Sequence, residues 1–224
     1  MSKTLIDRPI YLMVNYLYAF LATNFFFLLL ISPFIFFFYF ADFTVQNILL
    51  YYVSLLLFGP AFAALLKTMD KLVKDKIIQP AKDFWTFFLQ NFKTAFKYWL
   101  IQWTIVVVLI IDIYYANLYL PILSPIFLIF IGVCLFISCY AFPILTKFEV
   151  KIKNLFVISI YSIFRYIKVT LLNVSTLVAF GVIFYAFPSI IVLFFMSLLS
   201  FFIMYNLQDV FKLLEDQFSQ TDSK

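Results

Sequence analysis

A chain of 224 residues that is 66% hydrophobic, 23% aromatic and only 12% charged carries more apolar surface than a soluble domain of this size can bury. The bilayer is therefore the expected solvent. The formal net charge of +5 comes from basic residues placed beside apolar runs, which points to membrane orientation and away from nucleic acid as a partner.

Residues 1–9 read as a polar, basic start with Lys3 and Arg8. The apolar run after Pro9 is too long for a signal-peptide core and has no A-x-A cleavage site, so it is expected to be retained. The first span is expected at about 11–40, with Pro33 kinking its far end. A short loop marked by Asp42 leads to a second span at 45–66, with Gly59 and Pro60 in its inner third. Residues 67–82 read as the first aqueous segment.

Pro80 opens a helix whose polar and apolar residues separate onto two faces from Asp83 to Lys97. With Trp85 and several Phe on the oily face, this predicts an interfacial helix on the inner leaflet. The third span is expected at 94–115, with Tyr114, Tyr115 and Tyr119 as its outer aromatic belt. The fourth runs from 120 to 146 and is broken at Pro143, spilling into Lys147, Glu149, Lys151 and Lys153. A second amphipathic segment is expected at 154–168, its polar side holding Ser162, Arg165 and Lys168. Spans five and six are expected at 169–187 and 189–206. Residues 207–224 read as an amphipathic tail with Leu207, Phe211, Leu214 and Phe218 at helical spacing.

The expected fold is that of an all-α membrane protein: one six-span membrane domain over 1–206, with one or two basic amphipathic helices at the cytoplasmic interface. All 16 Lys and Arg fall in 1–10, 67–97, 147–168 and 207–224, which predicts both termini inside. Spans two–three and four–five have a weak internal similarity, which either duplication or membrane topology alone can generate.

The chemistry is mostly one of exclusions. Without histidine there is no Ser–His, Cys–His or His–metal arrangement. Gly59, Gly132 and Gly181 are too far apart for a phosphate-cradling loop. Cys134 and Cys139 share one apolar run and read as filler. The expectation is a non-enzymatic protein with no cofactor and no metal.

Asp112 is the one acid inside a span, read either as interfacial or as a coupling site. Asn24, Gln102, Thr104, Asn173, Ser175 and Thr176 either line a solute path or join helices by hydrogen bonds. Gly59 and Ala63 form a small-xxx-small pair that marks a helix crossing, with Pro60 and Pro143 as candidate hinges.

Three ordered stretches carry a resemblance: Gly59-Pro-Ala-Phe-Ala-Ala-Leu65; Phe84, Phe88 and Asn91-Phe92-Lys93; and Tyr140-Ala-Phe-Pro-Ile-Leu-Thr-Lys-Phe-Glu149 with Lys153. With Asp112 between the last two, they resemble the YesL family, small bacterial integral membrane proteins long labelled as a domain of unknown function. Thr146-Lys147 departs from the family's frequent Ala-Arg. The resemblance implies an accessory role in carbohydrate uptake in the cytoplasmic membrane of Gram-positive bacteria. The expected partners are the lipid bilayer and the permease or ATPase subunits of an ABC importer, contacted through Lys147, Glu149, Lys151 and Lys153. The competing expectation is a small autonomous transporter or channel using Asp112, Asn173 and Thr176.

Overall fold

The computed structural model describes residues 9–222; side chains are described for 10–189 and 191–216. Of the expected cytoplasmic start at 1–9, residues 1–8 with Lys3 and Arg8 lie outside the described residues, as do residues 223–224 and the Phe218 side chain. The described residues form helices, with no strand.

The first apolar run makes α1 (Pro9–Leu30) and α2 (Ser32–Phe40). They part at Ile31 because Pro33 has no N–H to offer the Leu29 carbonyl. The Ser32 hydroxyl donates to that carbonyl instead, at 2.8 Å. A short 3-10 turn over 45–47 leads into α3 (Ile48–Ser54) and then α4 (Phe58–Asp75), bent by 43° from α3. Pro60 causes this break. It sits in the first turn of α4, where its missing N–H is harmless, and could not continue the preceding helix.

Two expectations change here. The segment at 67–82 is not a free aqueous loop: α4 runs on to Asp75 with Thr68, Met69, Asp70 and Leu72 buried, and the connection is only 76–79. Nor is there a separate interfacial helix at 83–97. Residues 80–119 form one helix, α5 (Pro80–Tyr119), of 40 residues. Its length of about 60 Å at 1.5 Å per residue is twice a hydrocarbon core of about 30 Å. Once Pro80 has started it, nothing in its sequence breaks it before Leu120.

After a 3-10 turn over 121–123 comes α6 (Ser124–Lys147). Pro143 does not break it, contrary to expectation. Phe142, Ile144 and Leu145 are all buried around it, and this packing offsets the one backbone bond lost. The chain continues as α7 (Ile152–Arg165) and α8 (Ile167–Ala186). In α7 the expected polar side is partly turned inward. Ser162 is buried, whereas Arg165 is exposed and Phe164 is 75% exposed. The expected sixth span is broken into α9 (Pro188–Ile191) and α10 (Phe195–Asn206). At 12 residues α10 is about 18 Å long and cannot cross the hydrocarbon by itself. The tail forms α11 (Gln208–Asp222).

Among the described residues, four helices are long and apolar enough to cross a membrane, or five if the bent α3–α4 pair is one span. Around them the outward faces are apolar: Ile129 is 66% and Val182 64% exposed. That surface is consistent with a multi-pass protein in contact with lipid.

The helix at the centre is α4, packed against α1, α5, α6 and α10. Ala61, Ala63 and Ala64 are fully buried, so neighbouring backbones come close. Gly59 is the tightest point. A Cβ there would lie 2.2 Å from Trp99 Cβ. Trp99 in turn donates its indole N–H to the Leu55 carbonyl at 2.7 Å, and Trp103 donates to the Tyr52 carbonyl at 3.2 Å. These two indoles serve carbonyls at the α3–α4 break. Aromatic rings fill the rest: Phe58 lies 4.8 Å from Trp99, and Phe62 and Tyr98 each meet Phe142 edge-on at 5.1 Å.

Gly59→Ala should lower the thermal stability of the purified protein by an overpacking penalty of about 1–3 kcal/mol or more. Gly132 and Gly181 have nothing within 4 Å of an added Cβ. Gly132→Ala and Gly181→Ala should therefore hold or raise the melting temperature, since alanine is the better helix former by about 1 kcal/mol. Equal melting temperatures for all three would contradict the close contact.

Candidate functional site

The charged ends of α4 and α6 meet the tail in one cluster. Asp70, on a helix face with buried neighbours, accepts from Lys74 Nζ at 2.6 Å and from Gln208 Nε2 at 2.9 Å. Lys147 Nζ lies 3.3 Å from Glu215 Oε1 and 4.2 Å from the centre of the Phe211 ring. Lys67 sits 5.3 Å from the Phe87 ring centre, with Asp70 and Glu149 as its anionic neighbours. Beneath these charges Leu207, Val210, Phe211 and Leu214 are buried, so α11 is docked on the bundle.

The candidate partner-binding residues thereby separate into two kinds. Lys147 is engaged inside the molecule. Glu149, Lys151 and Lys153 are exposed. Lys151 is the residue before α7 and Lys153 lies in its first turn, which has no acidic residue. Cations at the positive end of a helix dipole cost stability, about 0.3–1 kcal/mol each. A polar groove of 350 Å³ runs beside them, between Gln90, Asn91 and Thr94 of α5 and the backbone turn of Glu149 and Lys151.

Within the apolar region the polar residues join helices. Asn24, fully buried in α1, bridges the break before α10: its Nδ2 donates to the Val192 carbonyl at 2.9 Å. Its Oδ1 accepts from the Met196 and Ser197 backbone N–H groups at 3.2 and 3.3 Å. Gln102 donates to the Cys134 carbonyl at 2.7 Å, and Thr104 pairs with the Tyr52 hydroxyl at 2.9 Å. Tyr140 and Thr170 pair at 2.8 Å. Ser175 is an exception: it bonds back within α8 to the Leu172 carbonyl at 2.8 Å.

Of the candidate solute-path residues, Asn173 and Thr176 come together around Asn206. Its Nδ2 reaches Asn173 Oδ1 at 3.0 Å and Thr176 Oγ1 at 3.4 Å. Asp112 does not join them. It lies in the last two turns of α5, whereas Asn173 lies in the second turn of α8. Asn206 was not singled out in the sequence, although its signal was there: an amide closing an apolar run. Asn173 Nδ2 is buried and has no hydrogen-bond partner among the described residues. Near this layer lies a cavity of 300 Å³ with an apolar lining. Phe62 and Leu66 of α4 line it, with Cys139 and Phe142 of α6, Leu177 of α8 and Ile203 of α10. Among the described residues no group of His, Cys, Asp and Glu could hold a metal ion.

Asp70→Ala should destabilise the protein by about 1–3 kcal/mol, because it strips partners from Lys74 and Gln208 and loosens α11. Asp75→Ala, at an exposed position, should leave the melting temperature unchanged. Limited proteolysis should cut the 207–222 segment faster in Asp70→Ala than in wild type.

No curated protein and no solved structure matches the chain. A family described as "Protein of unknown function, DUF624" matches over residues 13–113, which takes in the Gly59–Leu65 stretch, the Phe84–Lys93 stretch and Asp112 but not Tyr140–Lys153. Over α1 to most of α5 the chain is thus similar to a family whose function is unknown.

Proposed function

We propose that the chain is a YesL-like, non-enzymatic accessory protein of the bacterial cytoplasmic membrane, a subunit or assembly factor of a carbohydrate ABC importer. In this reading it crosses the membrane six times with both termini inside. The bent α3–α4 pair is the second span and the broken α9–α10 pair the sixth. The distribution of basic residues supports that orientation.

The observation that carries the partner reading is the exposed rim of Glu149, Lys151 and Lys153. Among the described residues none of these charges makes a salt bridge like that of Lys147, although Glu149 lies near Lys67; two of them oppose a helix dipole, and Glu149 and Lys151 border a polar groove. A partner with complementary charge would offset that cost. The sugar-importer identity rests on the family resemblance. The autonomous transporter draws less support, because Asn173, Thr176 and Asn206 bond to one another and Asp112 is apart from them.

Two measurements test this. In a background lacking Cys134 and Cys139, Asp42→Cys should react with a membrane-impermeant maleimide on intact cells, and Glu149→Cys only after permeabilisation. The reverse pattern would invert the topology. Mild-detergent pull-down should recover permease or ATPase subunits. Glu149→Arg or Lys151→Glu should weaken that recovery without loss of membrane insertion, and recovery of no transporter subunit would sink the proposal.

A further inference from the structure

Residues 80–97 are part of α5, yet their outward face differs from that of the rest of the helix. Lys82, Trp85, Leu89, Lys93 and Lys97 are all exposed, Leu89 at 73%. At about 100° per residue they cover about a third of the helix circumference, in the order Trp85, Leu89, Lys82, Lys93, Lys97. An apolar edge thus passes directly into three lysines. Among the described residues none of the three is in an ion pair. Asp83, the only acid in this segment, is held by Lys71 at 2.8 Å. Lys93 and Lys97 stand one turn apart, and like charges at that spacing cost helix stability. Water suits the lysines and hydrocarbon suits Trp85 and Leu89, so the boundary between the two suits the whole face.

The neighbour on the apolar edge tells which phase lies beside it. Trp85 packs edge-on against Phe26 of α1, with ring centres 6.0 Å apart. The 10–40 segment that contains α1 is long and apolar enough to cross a membrane, and near Phe26 its Tyr18 and Phe25 are 57% and 62% exposed. Both line a groove of 390 Å³, with Leu21, that reaches Ala81 in the first turn of α5. The lipid-facing surface of α1 therefore continues onto α5 and ends at its lysines.

We propose that this face of α5 binds anionic phospholipid headgroups of the leaflet that it borders. Lys93 and Lys97 share one phosphate region, and Lys82, about 16 Å away along the axis, takes a neighbouring headgroup. Trp85 and Leu89 enter the boundary between headgroups and acyl chains. Two features select a lipid over an acidic protein as the occupant. The positive charge is uncompensated, and it is contiguous with a surface that faces hydrocarbon. The proposal stands apart from the importer reading, since it needs no protein partner.

The test uses the purified chain in detergent, titrated with phosphatidylglycerol or phosphatidylcholine and read by native mass spectrometry. Phosphatidylglycerol should bind more tightly than phosphatidylcholine, and added salt should weaken its binding. Lys93→Gln with Lys97→Gln should weaken phosphatidylglycerol binding by about tenfold or more, since each lysine near an anionic surface is worth about fivefold. Lys93→Arg with Lys97→Arg should keep it. Lys76→Gln with Lys212→Gln removes the same charge at other exposed positions and should leave it unchanged. Equal affinity of the wild type for the two lipids, or phosphatidylglycerol binding that salt does not weaken, would overturn the proposal without any variant. An equal loss in the two glutamine pairs, or no loss in Lys93→Gln with Lys97→Gln, would overturn it as well.

Discussion

The contact between Gly59 and Trp99 sets the rest of the structure. Only a hydrogen at position 59 lets the α4 backbone reach the indole, because a Cβ would lie 2.2 Å from Trp99 Cβ. That approach brings the indole N–H to the Leu55 carbonyl, at the bend where Pro60 has stopped α3 from continuing. One glycine, one proline and one tryptophan thus shape, fill and satisfy a single break. With α4 held there, its alanine face can be covered on all sides by α1, α5, α6 and α10.

A broken helix in hydrocarbon must find partners for its free backbone groups, since lipid offers none. Side chains supply them at each of the breaks described above. Ser32 takes the Leu29 carbonyl. Trp99 and Trp103 take carbonyls at the α3–α4 bend. Asn24 takes a carbonyl and two N–H groups around the α9–α10 break, from a helix far earlier in the chain. Most of the intramembrane polar residues named above thus bond to other groups of the protein. The Asn173 amide differs: its donor is buried and has no acceptor among the described residues.

The charged end divides in the same way. Asp70, Lys74, Gln208, Lys147 and Glu215 are spent on docking α11, so they hold the fold and leave little for a partner. Glu149, Lys151 and Lys153 remain at the surface. Lys147 shows why spacing misled here. In sequence it belongs with the alternating charges after it, but in space Phe211 and Glu215 cover it.

The sequence by itself determined the solvent, the helical class and the approximate extent of the apolar runs, because composition and hydropathy are sums over local residues. It also marked Gly59 and Pro60 as a crossing and a bend, since proline acts on its own turn and small residues have few other uses in such a chain. Only the tertiary structure decided which breaks the chain keeps. Pro33 and Pro60 interrupt helices, whereas Pro143 is carried through by buried neighbours. It decided that residues 83–97 continue into a 40-residue helix, that α10 is short, and that the tail is docked. It alone brought Asn24 to Val192 and Asn206 to Asn173, for a physical reason: an amide's partner in hydrocarbon is whichever free polar group the packing delivers, and sequence distance does not encode it.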